Sequence, residues 1–418
     1  GYFHSMTEQR STGTAVSAVL PPKTRPSAFW RILPAGMRKR WWLFRLFDLL
    51  AYHWPVAEAS AGVLVVRMDG IGDMVLFRRA LHYYADVFGV EKSAITVLGC
   101  ESWSTISDVL FEGYRVKTIN EHAYARRPLY RLAVNIRVRR MAPAVCVNDS
   151  YFRRALMADS LTWVARAPKT VTSVPYISER TRPEFTYYMS QVSDTVDTGP
   201  YPTHEIIRHF RFLSAITGRD FAPEPPSLHW RDDEPLLEAG APYVVLNPGS
   251  NEFGRRWPVT SYADLAATFL GRGYRVAVVG KSEEQAWERA FDAMAGDPSF
   301  FDLTGRTKVP QLLDLLNHAA LVVTNDTGPA HLSIGLDTLT VVIVGGGHFG
   351  CFVPYPPEVA PDNARFVYHK MDCYHCFWLC HKRTGKSDPF PCVAEVTTAQ
   401  VKAACAELLS EKLVPTAG

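Results

Sequence analysis

The chain has 418 residues, 47% hydrophobic and 21% charged, enough for two ordinary domains with separate cores. Its 45 Lys and Arg against 42 Asp and Glu leave a formal net charge of only +3. That is too small a basic excess for a chain that wraps nucleic acid non-specifically, so no nucleic-acid partner is expected. No apolar run reaches the roughly 20 residues that span a bilayer. Residues 1–28 are polar and Pro-rich without the apolar stretch of a secretory signal, so a cytoplasmic protein is expected.

Residues 1–5 (GYFHS), ahead of Met6, read as a tag scar, and residues 6–28 are expected to be mobile. Residues 29–60 form a basic, aromatic helical extension, with Trp41, Trp42, Leu43, Leu46, Phe47, Leu49 and Leu50 beside Arg38, Lys39, Arg40 and Arg45. Such a helix either lies on a membrane surface or docks a partner, or it packs on its own domain or another subunit. From residue 61 an α/β pattern begins. VLVVRM (63–68), AITVLG (94–99) and APAVCVND (142–149) read as strands, MVLFRRALHYYADVF (74–88) as a helix, and 150–230 as mostly helical with irregular loops. Thr203 and Gly218 bracket a helix, THEIIRHFRFLSAITG. Residues 223–235 resemble a linker, which puts the domains at 61–232 and 236–418. In the second, YVVLNPG (243–249), YRVAVVG (274–280), ALVVTND (320–326) and TLTVVIVG (338–345) are four more strand-to-turn units. The fold class is therefore α/β, two doubly wound domains in tandem.

In such sheets ligands bind beyond the carboxyl ends of strands, where loops meet helix N-termini. Asp69-Gly70-Ile71-Gly72-Asp73 follows the first strand, and its glycines allow a tight turn. As a dinucleotide fingerprint it lacks the third glycine, although Glu101 after the second strand would suit a ribose, which keeps an NAD-dependent oxidoreductase as the alternative. Asp149 ends another strand and is either a base or a helix cap. Asn247-Pro248-Gly249-Ser250 with Arg255-Arg256-Trp257-Pro258 makes an anion site, unless the arginines are only solvated charges. In Asn325-Asp326-Thr327-Gly328-Pro329-Ala330-His331, Thr327 and Gly328 would offer N–H groups to a pyrophosphate, and Asp326 would accept sugar hydroxyls. A plain N-cap explains one of those residues but not all of them. Finally, Cys373, Cys376, Cys380 and Cys392 fall within 20 residues and offer four thiolates for a tetrahedral structural metal, zinc by default or iron, with His369, His375 and His381 nearby.

VLVVRMDGIGDMVLFRRAL, LNPGSNEFGRRWP, DLTGRTKVPQLLDLLNHA and VVTNDTGPAHLSIGL together resemble glycosyltransferase family 9, the heptosyltransferases of bacterial lipopolysaccharide core assembly and their relatives, over about residues 62–405. The resemblance implies a GT-B architecture, two Rossmann-like domains facing across a cleft, with acceptor on the first and nucleotide-sugar on the second. It also implies inverting transfer of heptose from ADP-heptose, with another nucleotide-sugar as the variant. On this resemblance Asp73 is the candidate general base, with Asp149 as the second candidate. Arg255, where the family usually has Lys, faces the donor pyrophosphate. Glu283 or Glu284 holds the donor ribose, and Asp326, Thr327, Gly328 and His331 form the donor-binding turn. Catalysis then needs no metal, because Arg255 and the N–H groups stabilise the leaving diphosphate. The four-Cys segment, 369–395, resembles the iron-binding autotransporter heptosyltransferases, which modify Ser residues of a protein. The acceptor is thus Ser or Thr of an exported adhesin or a lipopolysaccharide core sugar, with homo-oligomerisation and peripheral membrane contact left open.

Overall fold

Strands that are apolar without alternation must be covered on both faces, and the central strands here are buried along their whole length. In this computed structural model, which describes residues 39–231 and 235–413, β1 (Val63–Arg67), β2 (Ile95–Cys100), β3 (Arg115–Ile119), β4 (Val145–Asn148), β5 (Lys169–Ser173) and β6 (Asp194–Val196) form one sheet. β7 (Tyr243–Asn247), β8 (Arg275–Val278), β9 (Phe300–Asp302), β10 (Leu321–Asn325), β11 (Thr340–Ile343) and β12 (Ala364–Val367) form another. The orders are β3-β2-β1-β4-β5-β6 and β12-β11-β10-β7-β8-β9, and the pairings are parallel. Each is the Rossmann order, so each sheet reverses direction at one point: between β1 and β4, and between β7 and β10. Among the described residues no helix is long and apolar enough to cross a membrane.

The chain divides into two units, one ending at Pro223 and the next beginning at Glu224. That boundary falls at the start of the expected linker, 223–235. Leu228 and Trp230 are buried, the Leu228 N–H donates to the Gly335 carbonyl at 2.8 Å, and the Trp230 indole N–H donates to the Asp314 carboxylate. Two large apolar side chains carry this stretch onto the second unit although its neighbours are polar. Five strands escaped the sequence reading: β3, β5, β6, β9 and β12. β3 (RVKTI) alternates exposed and half-buried positions, as a strand at the sheet margin does, while β6 and β9 are three residues long. The helix expected over 74–88 begins earlier and is split into Ile71–Leu81 and Tyr84–Phe88. Helix Glu205–Thr217 ends at Gly218, left-handed as expected with φ 69°. Its N-cap, however, is His204, whose Nδ1 accepts from the Ile206 N–H, while the Thr203 hydroxyl donates to the Pro200 carbonyl.

Of the aromatic extension, residues 29–38 lie outside the described residues, and helix Lys39–Tyr52 packs on its own unit. Asp48, 1% exposed, accepts from Arg131 Nε at 2.8 Å and Nη2 at 2.9 Å, and from Asn135 Nδ2 at 2.6 Å, on helix Pro128–Met141. The Arg45 guanidinium lies 3.9 Å from the Trp163 ring and 4.3 Å from that of Tyr187. Two buried charges explain why a basic helix can be an internal element: each has a partner that offsets its loss of water. Asp48→Ala should lower the unfolding free energy by about 3–5 kcal/mol. Leu50→Ala, at a position 58% exposed, should change it by no more than about 0.5 kcal/mol, both read by chemical denaturation.

Candidate functional site

The two points where strand order reverses leave crevices at the carboxyl ends of neighbouring strands. Asp69 to Asp73 leave β1 and Asp149 leaves β4; Asn247 to Ser250 leave β7 and Asp326 to His331 leave β10. The singled-out motifs therefore gather at these two places, one in each unit.

In the first unit the crevice is built around Arg67, the last residue of β1, which is 1% exposed. Its Nη1 donates to Asp149 Oδ1 at 2.6 Å and its Nη2 pairs with Asp69 Oδ2 at 3.0 Å, and it lies over the Phe77 ring at 4.3 Å. Burial works against its charge, but Asp69 and Asp149 outweigh it and hold its pKa above the ordinary value. The other oxygen of Asp149 meets His209 Nδ1 at 2.8 Å. Burial opposes ionisation of Asp149 too, yet His209 and Arg67 bring its pKa down to about 2. Asp149 is no helix cap, since the next helical residue is Ala155. Asp73 stands half-buried in the first turn of helix Ile71–Leu81, where the dipole favours a carboxylate. Gly70 has an ordinary φ of −73° and Gly72 lies inside that helix, so neither position needs a glycine for its backbone conformation. Glu101 is exposed at the start of a 3₁₀ turn. Sequence reasoning missed Arg67, His209 and Glu205. Burial pushes Glu205 up to about 8, with Arg208 opposing and Asp73 adding to the shift. Its Oε2 is 4.0 Å from His209 Nε2, and that nitrogen has no hydrogen-bond partner among the described residues. An arginine interrupting an apolar strand run was the available signal for Arg67.

In the second unit an amide replaces the charges. Asn325, fully buried, accepts from the Trp257 N–H at 3.1 Å and the Tyr262 hydroxyl at 2.8 Å, and donates to the carbonyls of Pro248 and Gly249. Asn247 Nδ2 donates to the hydroxyls of Thr324 and Thr327, both at 3.0 Å. Thr327 occupies the cap position of helix Gly328–Gly335 but makes no side-chain cap bond, because its hydroxyl faces Asn247. The simple-cap explanation therefore fails for this residue. Arg255 Nη2 donates to the Asp326 carbonyl at 3.1 Å and approaches its carboxylate at 3.4 Å, and the guanidinium is 28% exposed. Burial raises the Asp326 pKa against the pull of Arg255. Arg256 is no solvated charge: it donates twice to the Ser250 carbonyl, at 2.8 and 3.1 Å. His331 is buried, its Nδ1 sits 2.7 Å from the Tyr355 hydroxyl, and burial lowers its pKa to about 4, so it is neutral at pH 7. The side chains of Glu283 and Glu284 lie outside the described residues.

Cys373, Cys376, Cys380 and Cys392 line one small pocket with Met371, Tyr374 and Trp378, and all four are free thiols. Burial raises the Cys376 and Cys392 thiols, and their neighbouring thiols add to it. The Gly346 N–H donates to the Cys392 sulfur at 3.4 Å. A four-thiol donor set suits tetrahedral zinc or iron. Among the described residues, however, no group of three or more His, Cys, Asp or Glu is arranged to hold a metal ion. His375 is turned to the Phe349 carbonyl, its Nε2 at 2.9 Å.

Compared with known proteins, a family described as glycosyltransferase family 9 (heptosyltransferase) matches residues 159–376, just over half of the chain. The chain is 32% identical over 154 residues to lipooligosaccharide heptosyltransferase 2 of Haemophilus influenzae, covering 35% of this chain and 42% of that protein. The chain thus spans about two fifths of the length of the curated relatives it matches. Among solved structures it is similar to the Escherichia coli ADP-heptose lipopolysaccharide heptosyltransferase II, with 18% identity, TM-score 0.60, and coverage of 84% of this chain and 100% of that one. It is also similar to the iron-containing dodecameric glycosyltransferase TibC of enterotoxigenic E. coli H10407, with 16% identity, TM-score 0.51, and coverage of 85% and 78%. At these identities the structural likeness is one of fold.

Glu205 makes the first crevice sensitive to alkali. The folded state keeps a proton there that the unfolded chain releases near pH 4.5, so stability falls as pH rises from about 4.5 to about 8 and then levels off. Arg208, Arg67, Asp69, Asp73 and His209 all face this group. Glu205→Gln should flatten that fall in a series of denaturation midpoints; an unchanged pH profile would show that Glu205 is ionised in the native state.

Proposed function

The chain belongs to glycosyltransferase family 9, and from that premise we propose that it is an inverting glycosyltransferase moving heptose from ADP-heptose to an acceptor hydroxyl. The observation that carries the reading is the β7–β10 crevice. There Arg255 and an N-terminal helix turn without a Thr327 side-chain cap stand beside the Asp326 carboxylate. Cationic and N–H groups of this kind meet the charge that builds on a departing diphosphate. Asp326 would accept donor hydroxyls, and Asn247, Ser250 and His331 would shape the turn around them. In the first unit Asp73 would take the acceptor proton. Asp149 suits that role less, being buried between Arg67 and His209 and held ionised at about pKa 2. Its role would be to hold those two groups. The transfer itself is assigned no metal. A dinucleotide-dependent oxidoreductase loses its support with family membership.

The names of the sequence relatives, lipopolysaccharide and lipooligosaccharide heptosyltransferase 2, support a lipopolysaccharide acceptor, for which the proposal takes a core sugar and a cytoplasmic reaction. One observation favours a second reading, a Ser or Thr hydroxyl of an exported adhesin: the four cysteines gather at one pocket, and a protein of like fold is iron-containing. Under that reading the four thiolates would close around a structural iron or zinc. Elemental analysis of the purified protein should then give stoichiometric iron or zinc; metal-free protein of full stability would remove the second reading.

ADP should raise the thermal midpoint in proportion to occupancy while UDP, GDP and NAD do not. A shift with UDP or GDP alone would change the sugar, and a shift with NAD alone would defeat the proposal. Asp73→Asn should leave the ADP shift intact and slow transfer by about 10²–10⁴-fold, the contribution of a general base. A variant turning over at the wild-type rate would move the base elsewhere.

A further inference from the structure

The segment that bears the thiols is joined to the loop that bears Arg255. The Phe390 N–H donates to the Gly254 carbonyl at 2.8 Å, and Arg383 Nη1 donates to Glu252 Oε1 at 2.9 Å. On its other side the segment holds the turn after β11: His375 N–H donates to the Gly346 carbonyl at 2.8 Å, and Phe377 N–H to that of Gly347 at 3.1 Å. Trp378, between Cys376 and Cys380, lies where these contacts meet. Its indole stacks on Phe390 with centroids 5.7 Å apart and planes 19° from parallel, and the Arg255 guanidinium lies 4.5 Å from its centroid. Gly345 and Gly347 supply the space, since a Cβ at either would meet the indole.

Backbone conformation points the same way. His375, Phe377 and Trp378 have φ of 69°, 59° and 61°, left-handed values that side-chain-bearing residues seldom adopt. Strain of this kind persists where surrounding contacts hold it, and it concentrates at functional sites. Arg255 Nε, meanwhile, is buried without a hydrogen-bond partner among the described residues. One face of the guanidinium is thus set by an aromatic ring, and Nη2 is tied to Asp326.

We propose that Trp378 is a positioning residue for donor binding: its indole, backed by Phe390, fixes the plane of the Arg255 guanidinium so that this group meets the diphosphate of the nucleotide. The inference rests on the donor-site reading given above. A planar cation on an aromatic face is held in orientation as well as attracted. Calorimetric titration of ADP and of adenosine into wild type, Trp378→Leu and Trp378→Phe separates the possibilities. Trp378→Leu fills the space without a π face and should lose roughly tenfold in ADP affinity while adenosine affinity stays constant. Trp378→Phe should stay within about threefold of wild type, and Trp378→Leu should cost nothing further in an Arg255→Ala background. Equal losses for ADP and adenosine, no loss at all, or a Phe variant as weak as Leu would overturn the proposal while leaving the transferase reading in place. Wild-type protein that fails to bind ADP would defeat the donor reading, and this one with it.

Discussion

A buried cation organises the first unit. Arg67 ends a strand that is otherwise wholly apolar, and an unpaired guanidinium there would cost several kcal/mol. Asp69 and Asp149 both answer it, and because one follows β1 and the other follows β4, the ion pairs tie together the strand ends that flank the reversal of the sheet. Asp149 then holds His209, which anchors helix Glu205–Thr217 to the same point. Asp73 therefore stands in a region whose charges are already committed to one another.

The second unit meets the same topological demand with neutral groups. Asn325 satisfies its hydrogen-bonding atoms against the backbone after β7, the backbone at Trp257 and the Tyr262 hydroxyl. A fully paired buried amide specifies geometry at little electrostatic cost. With an amide serving as the internal brace, the arginine is held at the margin, 28% exposed. Under the proposed donor reading, that division leaves the cation within reach of solvent, where an anionic ligand could meet it.

How much of this was legible in the sequence depended on burial. β1, β2, β4, β7, β8, β10 and β11 are unbroken apolar runs ending in turns, and periodicity located each of them. β3, β6 and β9 lie toward sheet margins and are short or half-wet, so their composition resembles that of loops. The strand-end motifs at Asp73, Asp149, Asn247 and Asp326 could be placed because a parallel sheet puts strand ends together whatever the side chains do. Their partners could not. Nothing near His209 marks it as a neighbour of Asp149 sixty residues earlier, and Trp378 reads as one more aromatic among cysteines until the chain is folded. Arg256 likewise shows its hold on the Ser250 carbonyl only in three dimensions.

The turn after β11 has a consequence of its own. At Gly346 the space a Cβ would need is filled by the Tyr374 ring, and at Gly347 by the Trp378 indole. A side chain at Gly347 would act as a wedge, lifting the Trp378 indole from its seat beside the Arg255 guanidinium, and one at Gly346 would displace the Tyr374 ring. The absence of a side chain at Gly347 thus sets the clearance of a charged group that is distant from it in sequence. A methyl group added at Gly347 would press first on the indole that carries the Arg255 guanidinium.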